Sequence, residues 1–219
     1  MPFRIAIDGP AASGKSTVAK AVAKKIGFLY LDTGALYRAM AYAIRQANIP
    51  PKEKVLQQFC SSCDLEIRYI EGEQHVFLEK EDISLFLKDE EIGNFASQIS
   101  TFSCIRQALF DLQRKTGEKN NIIADGRDIG TCIFPDAELK IYLTAKTSVR
   151  ALRRQKELGL KEPLEEIEEN LRKRDRRDKS REIAPLKQAF DAIYLDSSEL
   201  SREEIIEQII QYYHQRKGI

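Results

Sequence analysis

Residues 9–16 read Gly-Pro-Ala-Ala-Ser-Gly-Lys-Ser and satisfy the pattern GxxxxGK[ST] in full. The context fits as well: an apolar run over 3–8 stands before the pattern, and an alanine-rich stretch of helical composition, 16–25, follows it. No other feature limits the fold as much. A glycine-hinged loop that leaves a strand and opens a helix turns its backbone N–H groups inward. The helix start adds unpaired N–H groups and a dipole that favour anions. Such a loop cradles the phosphates of a nucleoside triphosphate. Lys15 supplies a point charge for the β- and γ-phosphates, and Ser16 offers a hydroxyl to Mg2+.

Around this loop the chain alternates strand and helix. Runs 3–8, 28–32, 122–125, 139–143 and 193–195 read as short strands, and 16–25 and 35–46 as helices. Ser201-Arg-Glu-Glu204 is a capping box that opens a last helix. This alternation predicts an α/β fold: a P-loop NTPase-type parallel five-stranded sheet with helices on both faces. Two stretches interrupt it. Residues 65–70 and 75–79 flank Glu-Gly-Glu-Gln (71–74) and predict an antiparallel hairpin, which with its flanks makes an insert over about 60–103. Residues 159–182 carry glutamates at 162, 165, 166, 168 and 169, then basic residues from Arg172 to Arg181. That stretch reads either as a solvated helix whose charges suit its dipole or as a lid that brings arginines to phosphates. Composition does not choose between them.

The 219 residues, 42% of them hydrophobic, suffice for one domain with a real core. Lys+Arg is 35 against Asp+Glu 34, a net charge of +1, which argues against a protein that coats nucleic acid. No apolar run approaches the ~18 residues of a membrane span. The N-terminal residues enter a strand-like run without a signal-peptide core. The expectation is a soluble cytoplasmic monomer with no membrane or nucleic-acid partner. Four cysteines stand at 60, 63, 104 and 132. Cys60 and Cys63 form a CxxC, but no second close pair exists and His75 and His214 lack metal-ligand spacing, so reduced structural thiols are expected.

Neither Asn-Lys-x-Asp nor Leu-Ser-Gly-Gly-Gln occurs, and there is little room for a further helical lid domain. A small P-loop kinase acting on a second small molecule remains. Asp125 ends a strand next to the phosphate loop, where it either orients Mg2+ through water or caps a turn. Arg150, Arg153 and Arg154 begin the charged region and are candidates to supply transition-state charge, or form an ordinary basic helix face.

Five blocks sharpen this reading. They are Ile5-Ala-Ile-Asp-Gly-Pro-Ala-Ala-Ser-Gly-Lys-Ser-Thr17, Leu31-Asp-Thr-Gly-Ala-Leu-Tyr-Arg38, Ala124-Asp-Gly-Arg-Asp-Ile-Gly-Thr131, Phe134-Pro-Asp-Ala137 and Arg174-Asp-Arg-Arg-Asp-Lys-Ser-Arg-Glu-Ile-Ala-Pro185. In this order they closely resemble the bacterial cytidylate kinases. The resemblance implies a core of about 1–59, 104–149 and 183–219, a nucleoside-monophosphate-binding insert of about 60–103 and a short helical lid of about 150–182. It implies ATP as donor, held by Gly9, Pro10, Ala11, Ala12, Ser13, Gly14, Lys15, Ser16 and Thr17, with Mg2+. It implies CMP and dCMP as acceptors. Arg38, Arg127 and Arg181 would hold the acceptor phosphate, and Arg174 and Asp178 the ribose. Asp128 with Ser97 would face the cytosine amine, and Arg106 its N3 and O2. Thr33 stands where family members commonly have serine and keeps the hydroxyl. Arginine suits the phosphate tasks because its fork matches the oxygens and stays charged. No general base is needed, because the acceptor phosphate's second pKa of ~6 leaves its oxygen mostly deprotonated. The alternatives are another small-molecule P-loop kinase, such as an adenylate or shikimate kinase, or an ATP-dependent protein that binds nucleic acid through Arg172–Arg181.

Overall fold

The computed structural model describes residues 2–159 and 161–218. In chain order its elements are β1 (Arg4–Asp8), α1 (Lys15–Ile26), β2 (Leu29–Asp32), α2 (Thr33–Gln46), α3 (Glu53–Ser62), β3 (Leu65–Ile70), β4 (Glu73–Leu78) and β5 (Glu81–Asp82). There follow α4 (Glu90–Ile99), α5 (Ser103–Lys119), β6 (Ile122–Gly126), β7 (Leu139–Thr144), α6 (Thr147–Leu158), α7 (Leu164–Lys179), β8 (Ile193–Asp196) and α8 (Arg202–Lys217). Five strands form one sheet in the order β2-β6-β1-β7-β8, and every pairing in it is parallel.

The strand sequences explain the layering. Successive side chains of a strand point to opposite faces, and β1 divides accordingly: Ala6 joins one core, Ile5 and Ile7 the other. β6 does the same, with Ile122 and Ala124 on one side and Ile123 on the other. Both faces are covered, so these strands are apolar without alternation. Leu36, Met40 and Ile44 of α2 and Ile105 and Leu109 of α5 fill the first core. Val18 and Val22 of α1 and Ile205, Ile206 and Ile209 of α8 fill the second. The capping box at Ser201 is present in full. A third, small cluster joins Ala11 of the phosphate loop to Ala151 of α6 and to Ile167 and Leu171 of α7.

β3, β4 and β5 make a separate antiparallel sheet. The hairpin turn is two residues, Glu71 (φ 52°) and Gly72 (φ 80°), because both dihedrals are those of a primed turn. Glu73 and Gln74, expected in the turn, therefore belong to β4. This sheet grips the edge strand β2. Gln74 Oε1 accepts from Asp32 N (2.7 Å), Gln74 Nε2 donates to Asp32 O (3.2 Å), and the Tyr69 hydroxyl donates to Tyr30 O (3.2 Å). Cys60 lies near the end of α3 and Cys63 caps it just before β3, a helix-to-strand junction. The charged stretch contains the 16-residue helix α7, with Glu165 and Glu166 in its first turn and Arg176, Arg177 and Lys179 in its last. Leu160, in the same expected lid, lies outside the described residues.

Candidate functional site

A cleft of about 560 Å3 opens beyond the carboxyl ends of β1, β2 and β6, where ligands of open α/β sheets sit. At one end lies the phosphate loop. The first turn of α1 has no acidic residue and no side-chain cap; its N-cap is Gly14 in the left-handed conformation (φ 88°). Side chains cap α2, α4 and α8 (Asp32, Asp89 and Ser201), while α3, α5, α6 and α7 lack such a cap as α1 does; α1 is set apart by the glycine loop that opens it. The N–H groups of α1 are thus left open to an anion. Residues Ala11 to Thr17 line the cleft, while Gly9 and Pro10 stand behind it. A Cβ on Gly9 would come within 1.9 Å of Leu143 O, so only glycine lets the loop start this close to β7. Lys15 Nζ donates to Pro10 O (2.7 Å) and Ser13 Oγ (3.3 Å). Burial, and then repulsion from Arg127, brings its pKa down to about 7.

Beside the loop, Ser16 Oγ donates to Asp125 Oδ2 (2.9 Å) and the Tyr30 hydroxyl donates to Asp125 Oδ1 (2.7 Å). Burial raises the Asp125 pKa and nearby Asp32 raises it further, so the site favours added positive charge. The Thr33 hydroxyl donates to Asp125 O (2.7 Å), which leaves only its lone pairs for a ligand. Asp32 caps α2 through Ala35 N (2.8 Å) and accepts from Arg38 Nη2 (2.8 Å).

At the far end, Arg106 of α5 and Asp128 form a buried ion pair, with Arg106 over the Tyr37 ring (5.7 Å to its centroid). Burial raises the Asp128 pKa, against the pull of Arg106 and Arg181. Arg106 Nη1 is buried without a partner. Ser97 of α4 lines the same end and accepts from Arg177 Nη1 (3.4 Å).

Arginines fill the space between the two ends. Arg127 Nε donates to Asp178 Oδ2 (2.8 Å), and Arg181 pairs with the other Asp178 oxygen. Burial works to raise the Asp178 pKa, but Arg127 and Arg181 together hold it below the usual carboxylate range. Arg174 of α7 lines the cleft with its Nε buried and unpartnered, and burial followed by repulsion from Arg127 brings it down to about 10.

The structure therefore gathers Lys15, Ser16, Thr33, Arg38, Ser97, Arg106, Asp125, Arg127, Asp128, Arg174, Asp178 and Arg181 around one cleft. It does not bring Arg150 and Arg153 there. Arg150 donates to Ala145 O (2.9 Å), Ala11 O (3.0 Å) and Thr147 Oγ1 (3.1 Å) and pairs with Asp175 (2.7 Å). Arg153 donates to Ser197 O (2.7 Å) and Ser197 Oγ (2.9 Å) and reaches Ser13 O (3.4 Å). Both brace the phosphate loop from outside the cleft, instead of projecting into it as candidate transition-state charges would. Arg154 does line the cleft, and its guanidinium meets Glu90 of α4 (3.2 Å). Within the basic stretch Arg172 pairs with Glu168 (2.7 Å) and Arg176 with Glu169 (3.0 Å). Sequence reasoning missed Asp8, Tyr30, Asp32 and Tyr37. Asp8 and Asp32, carboxylates that end apolar strands, carried a signal; the two tyrosines carried none.

A family model described as cytidylate kinase matches residues 5–215. The chain is 42% identical to a cytidylate kinase of Ligilactobacillus salivarius, covering 98% of this chain and 97% of that one. It is 40% identical to a cytidylate kinase of Caldicellulosiruptor bescii, covering 97% and 96%. Among solved structures, a shikimate kinase from Bacteroides thetaiotaomicron superposes with a TM-score of 0.50 at 14% identity over 99% of both chains, a likeness of fold.

Proposed function

The chain belongs to the cytidylate kinase family, and on that premise we propose that it transfers the γ-phosphoryl group of ATP to CMP and dCMP, giving ADP and CDP or dCDP. The observation that carries this reading is a single cleft with an uncapped phosphate loop at one end, a buried Arg106–Asp128 pair at the other, and guanidinium groups between them.

ATP lays its phosphates on the N–H groups of residues 11–17, and their negative charge opposes the lowering of the Lys15 pKa by burial. At the acceptor end cytosine shows an amino donor beside two acceptors. Asp128 faces the amine, and Arg106, with Nη1 lacking a partner, faces N3 and O2. Uracil would set an oxygen against the carboxylate, and a site left with unpaired polar groups rejects strongly. Arg38, Arg127 and Arg181 hold the CMP phosphate. Arg174 and Asp178 stand on the ribose side, with Asp178 also fixing two of the arginines.

Mg2+ fits the pair Ser16–Asp125, two hard oxygen ligands 2.9 Å apart around a carboxylate whose charge burial disfavours. Among the described residues no group of three or more His, Cys, Asp or Glu could hold a metal alone, so an ion at Ser16–Asp125 would need the phosphates and water as further ligands. When bound, the ion neutralises phosphate oxygens. The chain's own part is alignment: acceptor oxygen and γ-phosphorus held in line, charge spread over guanidinium groups, and no base required. The stretch 60–103 serves as acceptor-side insert and α6–α7 as lid, joined across the cleft by Arg154 and Glu90. Lid closure over both nucleotides excludes water and suppresses hydrolysis. No helix among the described residues is long and apolar enough to cross a membrane. A monomer in the cytoplasm fits a cleft assembled from one chain.

The test is ADP release with CMP, dCMP, UMP, AMP and dTMP as acceptors, with Mg2+ present and after its removal by a chelator. The reading requires CMP or dCMP to be preferred and turnover to stop without the metal. Preference for any other acceptor refutes it.

A further inference from the structure

Directly after Asp128 the chain makes one π-helical turn, Ile129–Ile133, with Asp128 at its N-cap. The first N–H groups of such a turn have no partner inside it and need one. An N-cap aspartate ordinarily supplies it, bending its own carboxylate onto the N–H two or three residues on. Asp128 makes no such bond, because its carboxylate is turned to Arg106. The duty falls to Asp8, the last residue of β1. Its Oδ1 accepts from Ile129 N (2.8 Å) and its Oδ2 from Gly130 N (2.7 Å). Asp8 is 4% exposed, and both oxygens are held by a segment more than a hundred residues away in sequence.

We propose that Asp8 is a positioning residue for acceptor recognition: by capping the 129–133 turn from β1, it frees the Asp128 carboxylate to stay in the cleft and read the pyrimidine amine. The inference rests on the cytosine reading given above. Asp8 immediately precedes Gly9, so one residue fixes the start of the donor loop and the orientation of the acceptor reader. If its carboxylate is lost, the two N–H groups are orphaned, the one on Gly130 within the reach of an N-cap aspartate, and Asp128 turns toward it and away from Arg106.

The experiment compares kcat/KM for CMP and UMP in wild type, Asp8→Asn, Asp128→Asn and the double variant. Asp8→Asn keeps the shape but opposes an amide NH2 to one of the N–H groups. The CMP:UMP ratio is expected to fall roughly ten- to hundredfold in Asp8→Asn, the worth of a hydrogen bond to a charged group. The KM for CMP should rise more than that for ATP, a split that general loosening of the fold would not give. In the double variant the ratio should fall no further than in Asp128→Asn. An unchanged ratio in Asp8→Asn, or a further fall in the double variant, overturns the proposal. An unchanged ratio in Asp128→Asn strikes the amine reading itself, and the inference with it. Amide exchange at Ile129 and Gly130 tells the two failures apart and decides the matter should Asp8→Asn not fold. Protection retained in Asp128→Asn supports capping by Asp8; protection lost there shows that Asp128 is the cap and overturns it.

Discussion

Arg174 is a guanidinium that the fold holds at a cost. Its Nε is buried without a partner, and burial followed by Arg127 pushes its pKa down to about 10. That depression corresponds to about 3 kcal/mol against the charged form inside the fold. Because folding lowers the pKa of a base, the cost is present at every pH below about 10 and fades as pH rises beyond it. Arg174→Met keeps the apolar stem and deletes the charge. The ligand-free variant is expected to be more stable than wild type by about 1–3 kcal/mol, the penalty of an unsatisfied buried donor. For a chain of this size that raises Tm by roughly 2–12 °C. With CMP the order changes: the ligand satisfies Arg174 in wild type, so wild type gains more from saturating CMP than the variant does, and kcat/KM for CMP falls in the variant. Thermal melts with and without CMP, alongside initial rates, read both effects. A variant that melts below wild type without ligand, or one that gains as much from CMP, refutes the reasoning.

Arg150→Met and Arg154→Met should separate bracing from ligand contact. The first removes a buried, fully bonded guanidinium from Asp175 and the loop carbonyls and is expected to cost about 3–5 kcal/mol of stability. The second breaks a partly exposed pair with Glu90 and is expected to lower turnover with Tm nearly unchanged. Melting curves and rates that fail to separate the two refute the assignment. Burial pushes the Cys60 thiol up to about 12 and the Cys63 thiol up to about 11. Alkylation of both at neutral pH should therefore be slower in the native protein than in the unfolded chain, by roughly two to three orders of magnitude. Because folding raises these acids, they leave stability untouched below about pH 9 and lower it as pH climbs above that. Native labelling at the unfolded rate would contradict this.

The sheet was legible because each strand is an apolar run and each connection carries a helix signal, and buried parallel strands require both. The loop at Gly9–Ser16 was legible because its chemistry is consecutive in sequence. Arg106, Asp128 and Arg174 could be gathered only through resemblance to a family, since contacts between α5, the end of β6 and α7 leave no local mark. The same reason hides Tyr30, whose hydroxyl meets Asp125 across two strands. The placement of Arg150 and Arg153 was not legible because sequence shows a basic helix face but not its direction; here the phosphate loop's own carbonyls and Ser197 claim them. The charged helix α7 has a solvated outer face and turns Leu171, Arg174 and Asp178 to the cleft.

The grip of Gln74 on Asp32 has a consequence for the quality of the folded population. A border strand with unanswered amide and carbonyl groups is a template on which a second molecule can grow. Here one carboxamide answers both groups of Asp32 at the end of β2, in place of a sixth strand. The same aspartate steadies Arg38. A molecule whose hairpin has not closed therefore bares an adhesive seam and loosens the strand end that carries the Asp32–Arg38 pair at once, so both faults arise in the same molecules.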